Sequence, residues 1–343
     1  MRKYLIIFLR WLGLIGLILT TWSFFIAISG ANPLEGFYYL GLGAFGGSCE
    51  ILSTLNKMVP FVLTAFAVAI PAWAGVWNIG AEGQLLLGGF VAAVVGTSHW
   101  LKNVPSFVGI IIILICAFIS GSAWALWTIL LRIYMNINEV ITTLLSNYIA
   151  DLLTSYFVNY PFRAPGSPWA QTSYINEKFI ISPLISGSEF SSTFFIMTAV
   201  VMLIILMERQ TILGYEICMT GKNELFAAQG GIKTGFIRLV SMIIGGGLAG
   251  LAGGLLVVGV NYRFMEGFSP GYGFTGLLIA LIANNRSILI IIISFIFAAL
   301  QTGSVSLELF TDVPAEVSGV LQAILVLFAS AWSLLVKTKV KPH

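Results

Sequence analysis

Five side chains able to do chemistry sit where the sequence is otherwise apolar. In GVWNIGAEGQLLLGGF (75–90), Asn78, Glu82 and Gln84 interrupt an oily run, and Gly75, Gly80 and Gly83 loosen any helix through it. In VITTLLSNYIADLLTSYFV (140–158), Asn147 and Asp151 stand one helical turn apart on one face. A buried carboxylate is costly unless it is hydrogen-bonded, and ionisable groups inside a membrane span are functional candidates by default. On a helix Asn78 and Glu82 would also share a face. With Pro71 upstream and three glycines around them, a broken helix is expected, and broken helices exposing polar groups at membrane depth belong to transporter pathways. Two alternatives stay open beside the pathway reading. Glu82 could sit at the inner boundary and cap the next helix, and Asp151 could be a paired structural acid.

Other chemistry is excluded by spacing. Cys49, Cys116 and Cys218 are expected in an outer loop, a span and an inner loop, too far apart for a disulfide or a metal site. His99 and His343 are isolated, so no metal ligand set is expected, and no paired carboxylates suggest catalysis. TGKN (220–223) is close to a phosphate-binding loop, but Glu216 and Asn223 stand where Walker A needs glycine and Ser or Thr. The chain is therefore expected to be no enzyme, to bind no cofactor and to lack its own ATP hydrolysis.

The elements that must position these residues follow from the solvent. Of 343 residues 58% are hydrophobic and 9% charged, against about a quarter charged in a soluble domain. Apolar runs recur at lengths near the roughly 20 residues of a spanning helix and do not alternate, which excludes a membrane barrel. The expectation is all-α: one polytopic permease-like domain over 1–343, with interrupted helices and ten spans. These are drawn at 4–29, 58–76, 84–98, 106–131, 139–160, 193–207, 237–260, 273–284, 287–303 and 315–336. The first run is too long for a signal peptide and contains Arg10. With both termini in the cytoplasm, 12 of the 17 lysines and arginines fall inside and five outside.

Two loops stand out. The outer loop 161–192 carries four of the 11 prolines and is long enough for a small external structure. The inner loop 208–236 contains NELFAAQ, which reads as a two-turn helix beginning at Asn223, with Glu224 in its first turn and GGI ending it. Gly214 and Gly221 before that helix permit sharp turns, and Ala227 and Ala228 permit close docking. In GGGLAGLAGG (245–254), Gly246, Gly250 and Gly254 recur every four residues, a bare stripe that lets another helix approach. Packing within the subunit is the first reading, and packing against a second subunit is the alternative.

These stretches together resemble the permease subunits of ATP-binding-cassette (ABC) importers for nucleosides and simple sugars. GVWNIGAEGQLLLG is similar to that family's signature, and NPLEGFYYLGLGAFGG (32–47) to the segment after its first helix. NEVITTLLSNYIA (138–150) is similar to its fifth helix, and SMIIGGGLAGLAGG (241–254) and FSPGYGFTGLLIALIANNRS (268–287) to its later stretches. GYEICMTGKNELFAAQGGI (214–232), with Gly214, Tyr215, Glu216, Gly221 and Asn223, resembles its cytoplasmic segment. It departs from the family in carrying Cys218 and Met219 for Arg and Ala. The Asn-Ile-Gly-x-Glu-Gly core with Gln84 is closer to the nucleoside, basic-membrane-protein-type branch than to ribose permeases.

The resemblance implies a multi-pass subunit of the cell (inner) membrane that pairs with a second permease subunit, identical or related. A cytoplasmic ABC ATPase would use the ATP, and an extracytoplasmic solute-binding lipoprotein would deliver the solute. Membrane lipid surrounds the chain, and nucleic acid is not an expected partner. Nucleosides lead as solutes, followed by ribose-like sugars and riboflavin-like compounds. The rival class is a self-sufficient channel or secondary transporter, which would be expected to carry a relay of intramembrane acids and repeat symmetry.

Overall fold

The computed structural model describes residues 2–185, 187–311, 313–314 and 319–324. Apart from 319–324, the expected tenth span (315–336) and the basic tail after it lie outside the described residues. The fold is all-helical, 76% helix, with no strand and only two isolated β-bridges among the described residues. It divides into two compact units, Met1–Lys57 with Phe295–His343, and Met58–Ser294.

In the first unit, α1 (Arg2–Ile28) meets α2 (Pro33–Phe45) at 106°, measured from Gly16 onward. The α2 helix was not expected, although its start is written in the sequence. Asn32 caps it by accepting from Leu34 N–H at 3.0 Å, Pro33 supplies the first helical residue, and Glu35 lies in the first turn. Trp22 packs with Leu300 and Leu321 and donates its indole N–H to the Leu321 carbonyl at 3.1 Å.

Two helices contribute to both units. The first, α3, runs from Ser48 to Trp73, ten residues earlier than the expected start at 58. Pro60 and Pro71 both lie inside it, because a membrane helix tolerates proline where neighbours satisfy the freed backbone groups. Lys57 and Cys49, expected in an outer loop, are therefore helical. The second is the last described long helix, Ser287–Phe310.

The second unit holds α4 (Ala81–Thr97), α5 (Ser106–Met135), α6 (Glu139–Asn159), α7 (Thr193–Gln210), α8 (Ile212–Lys222), α9 (Glu224–Gln229), α10 (Thr234–Leu256) and α11 (Tyr272–Ile282). The Ser287–Phe310 helix is α12, and α10 continues through a π turn to Asn261. Among the described residues five helices (α3, α5, α7, α10 with its extension, and α12) are long and apolar enough to cross a membrane, and the bent α1–α2 pair would make a sixth.

At the centre of this unit lies α10, and glycine is the reason. Gly246, Gly250 and Gly254 face Ala125, Gly121 and Ala117 of α5, so two four-residue stripes of small side chains interleave. A Cβ on Gly250 would lie 3.0 Å from the Gly121 Cα, too close without moving a backbone. On another face Gly253 meets Leu85 and Gly89 of α4. Bare backbones approach closely enough for dispersion to act between whole helices.

The described part of loop 161–192 packs on the segment that follows α10. Thr172 and Ile175 N–H donate to the Phe264 and Tyr262 carbonyls at 2.8 and 2.9 Å, and Glu266 N–H donates to Ala170 at 2.9 Å. Phe179 and Ile175 are buried, filling the space that Gly109 and Gly96 leave.

Candidate functional site

The path from α3 to α4 is the core of the site. α3 ends at Trp73, and Val76–Ile79 is irregular, so Asn78 does not lie on a helix with Glu82 as the four-residue spacing suggested. Gly75 turns the chain at φ +75°, a conformation only glycine adopts freely. Buried backbone outside a helix needs partners for its N–H and C=O groups, and polar side chains provide some of them. Asn78 Nδ2 donates to the Ala67 carbonyl at 3.1 Å and to Gln84 Oε1 at 2.9 Å. Gln84 Nε2 returns a bond to Asn78 Oδ1 at 3.0 Å. Both amides are fully buried, so this reciprocal pair staples the turn between α3 and α4 from within.

Asn147 completes the support from α6. Its Oδ1 accepts from Gly83 N–H and its Nδ2 donates to the Ile79 carbonyl, each at 2.9 Å. Gly83 lies in the first turn of α4, whose N-terminal N–H groups have no intrahelical partner. A neighbouring helix therefore caps α4.

Glu82 caps a helix too, but not its own. Its carboxylate accepts from Gly273 N–H at 2.6 Å and also receives hydrogen bonds from Phe274 N–H and the Ser269 hydroxyl. Gly273 and Phe274 are in the first turn of α11, so the positive end of that helix faces the carboxylate. Ser269 Oγ in turn accepts from Tyr272 N–H at 3.1 Å. Sequence reasoning missed Ser269 and Gly273 as site residues, although Ser269-Pro270-Gly271 before an apolar run is a helix-start signal.

The level of this contact follows from α3. Thr64 Oγ1 donates to the Tyr272 carbonyl at 3.1 Å, and nine residues of helix separate Thr64 from Trp73. At about 1.5 Å per residue, α11 begins about 13 Å from the end of α3, nearly halfway through a hydrocarbon core of about 30 Å. The first turn of α11 is thus set well back along α3 from the end that leads to α4.

Between them opens a cavity of about 240 Å³, lined by Glu82, Leu86, Asn147, Tyr148, Asp151 and Phe268 among others. Asp151 is exposed on α6, and among the described residues no ion pair within the chain holds it. The structure brings Glu82, Asn147 and Asp151 to one cavity and sets Asn78 and Gln84 behind it.

The loop 208–236 lies at the end of the unit where α3 stops. Asn223 caps α9 by accepting from Phe226 N–H at 3.0 Å, and Gly231 leaves it at φ +88°, so α9 spans the expected residues. An unexpected second helix, α8, precedes it, carrying Gly214, Tyr215, Glu216 and Gly221. Its Ile217 packs with Ala74 and Ile237, and Gly214 sits against the end of α7. Ala227 is buried, whereas Tyr215, Leu225, Phe226 and Ala228 are exposed. Arg238 of α10 grips Glu224 with two bonds at 2.7 and 2.8 Å. Cys218 lies half-buried on α8, where burial and then the Glu208 carboxylate push its thiol up from the usual range, with Lys222 opposing.

Comparisons with known proteins agree with this geometry. Residues 50–330 match the family model described as branched-chain amino acid transport system / permease component. The glucose ABC transporter permease protein TsgB13 of Haloferax volcanii is 30% identical, over 87% of this chain and 80% of its own length. The guanosine ABC transporter permease protein NupP of Bacillus subtilis is 28% identical, over 89% and 87%. The nucleoside ABC transporter permease protein NupB of Lactococcus lactis is also 28% identical, over 87% and 84%. With its broken helices, glycine-packed centre and multi-pass composition, the chain belongs to this family of ABC transport permease components.

Proposed function

We propose that the chain conducts a nucleoside, or a chemically similar polar solute, inward across the cell membrane as one of two permease subunits. Permeases of this family are transport subunits, and their systems include an ATPase and a binding protein. In this reading the cytoplasmic ATPase hydrolyses ATP and docks on α8 and α9, and an extracytoplasmic solute-binding lipoprotein docks over loop 161–192. The cavity bounded by Glu82, Asn147 and Asp151 carries the reading. Asp151 lies 12 residues into α6, about 18 Å along the helix, close to mid-membrane. There it is exposed among Leu144, Leu145, Ile149 and Leu152, and a bare carboxylate facing lipid would be costly. That face is accounted for if a second subunit closes it and leaves a polar lumen. Carboxylate oxygens accept the hydroxyls of a ribose, which pass from binding protein to lumen without bringing a compensating charge.

Nucleoside preference rests on the chain's likeness to guanosine and nucleoside permeases, while the glucose permease marks the sugar alternative. The test is uptake into proteoliposomes holding this permease, its partner subunit and the ATPase, with the binding protein outside. Radiolabelled uridine and guanosine should enter only with internal ATP and should resist competition by glucose, ribose and riboflavin. Competition by a free sugar or riboflavin would reassign the solute. Uptake driven by an ion gradient without ATP would sink the importer reading.

A further inference from the structure

Resting on the importer reading, we infer that Trp73 is a positioning residue that pins α11 to the ATPase-facing loop, so that the two move as one strut. Three contacts meet at this side chain and its backbone. The indole N–H donates to the Asn285 carbonyl at 2.7 Å, in the turn that ends α11. The ring lies edge-on to Phe66, with centroids 6.5 Å apart, which fixes its rotation on α3. The Trp73 carbonyl packs directly on Gly221 of α8, and a Cβ on Gly75 would come within 3.4 Å of the Gly221 Cα. Two glycines thus let α8 lie backbone to backbone on the turn that leaves α3.

The consequence is a clamp on α11 at both ends. Glu82 and Thr64 hold its first turn, and Trp73 holds its last. Each of the three belongs to α3 or to the start of α4, joined by the segment on which α8 sits. The turn itself is rigid and specialised, since Asn284 and Asn285 both adopt left-handed backbone, at φ 49° and 56°. Asn285 N–H closes it by donating to the Ala280 carbonyl at 2.8 Å. A push on α8 therefore reaches the N-terminus of α11, which walls the solute cavity, without passing through a flexible joint. Among the described residues the indole N–H is the side-chain donor from α3 to this turn, while Ser287 just beyond it donates to Glu208 at the end of α7. Trp73→Phe removes the first tie and leaves the second, so the pin should be separable from the fold.

Two readouts on the reconstituted complex test this. Trp73→Phe keeps the ring and deletes the N–H. It should lower solute-stimulated ATP hydrolysis about fivefold, the worth of one hydrogen bond, with basal hydrolysis and assembly unchanged. Trp73→Leu should lower it more than tenfold. Equal loss of basal and stimulated hydrolysis, or no loss in Trp73→Phe, would overturn the proposal. In the second readout, spin labels at Tyr215→Cys and Leu281→Cys, in a background without native cysteines, report the α8–α11 distance. That distance should stay fixed between nucleotide-free and ATP-bound states and shift with nucleotide in Trp73→Leu. A control pair, Tyr215→Cys with Leu144→Cys on α6, should move with nucleotide. An α8–α11 distance that changes as much as the control in the unmodified complex would show there is no strut. ATP-driven uptake by the wild-type complex tests the importer reading separately.

Discussion

Removing the Glu82 carboxylate should loosen α11 before it does anything else. The carboxylate receives bonds from Gly273 N–H, Phe274 N–H and the Ser269 hydroxyl, and it faces the positive end of the helix. In Glu82→Gln one amide oxygen can still accept from Gly273, and the NH₂ can donate to Ser269, but Phe274 N–H loses its partner and the charge is gone. One weakened donor and a lost helix-end attraction together cost about 1–2 kcal/mol. In Glu82→Leu two buried backbone donors are left with no acceptor, at about 1–3 kcal/mol each, so about 2–6 kcal/mol in all. A domain of about this size loses about 2–4 °C of melting temperature per kcal/mol. Fluorescence-detected melting of the purified complex should therefore fall by a few degrees for Gln and by more for Leu, about 4–24 °C. Uptake should survive in part for Gln and be lost for Leu. A Leu variant that melts and transports like the wild type would refute the capping geometry and with it the whole account of the site.

Other expectations follow from the same contacts. Gly250→Val places a branched side chain where the Gly121 backbone lies 3.0 Å away, so the permease should fail to accumulate, as judged by membrane abundance. Glu224→Gln removes a bidentate pair whose carboxylate is 48% exposed. It should cost about 1 kcal/mol or less in stability while lowering coupled hydrolysis more than basal hydrolysis. Raised by burial and by Glu208, the Cys218 thiol should be less ionised at any pH below its folded pKa than a free cysteine. Maleimide labelling in the folded protein should therefore lag the denatured chain at pH 7–8 and catch up only above the usual thiol range near 8.5.

How much of this was legible in the sequence depended on how local each cause is. The glycine stripe of α10 and the Asn223 cap of α9 are patterns within one helix, and both residue sets carry their partners' requirements in their own spacing. Asn147 was legible as a polar face on α6, and it reaches Gly83 because α4 starts after Gly80, which has no side chain to cap it. The partner of Glu82 was not legible, since Gly273 lies 191 residues away and contact between them is set by how α11 packs along α3. Reading Asn78 and Glu82 as helical neighbours failed because Gly75 breaks the chain before Asn78. The α8 helix was passed over for a different reason: Gly214 and Gly221 read as permitting sharp turns, whereas both serve close packing, Gly214 against α7 and Gly221 against the Trp73 carbonyl.

The central claim is that the cavity beside Glu82 and Asp151 is the solute path, reached from both sides in turn. Tyr148 lines that cavity and is 62% exposed, so Tyr148→Cys in a background without native cysteines places one thiol in the path. A charged methanethiosulfonate applied to energised proteoliposomes, with binding protein and nucleoside outside, should modify it and stop uptake. Modification should switch between outer and inner reagent when the ATPase is trapped with ATP. Full modification at Tyr148→Cys with uptake unchanged would contradict the account.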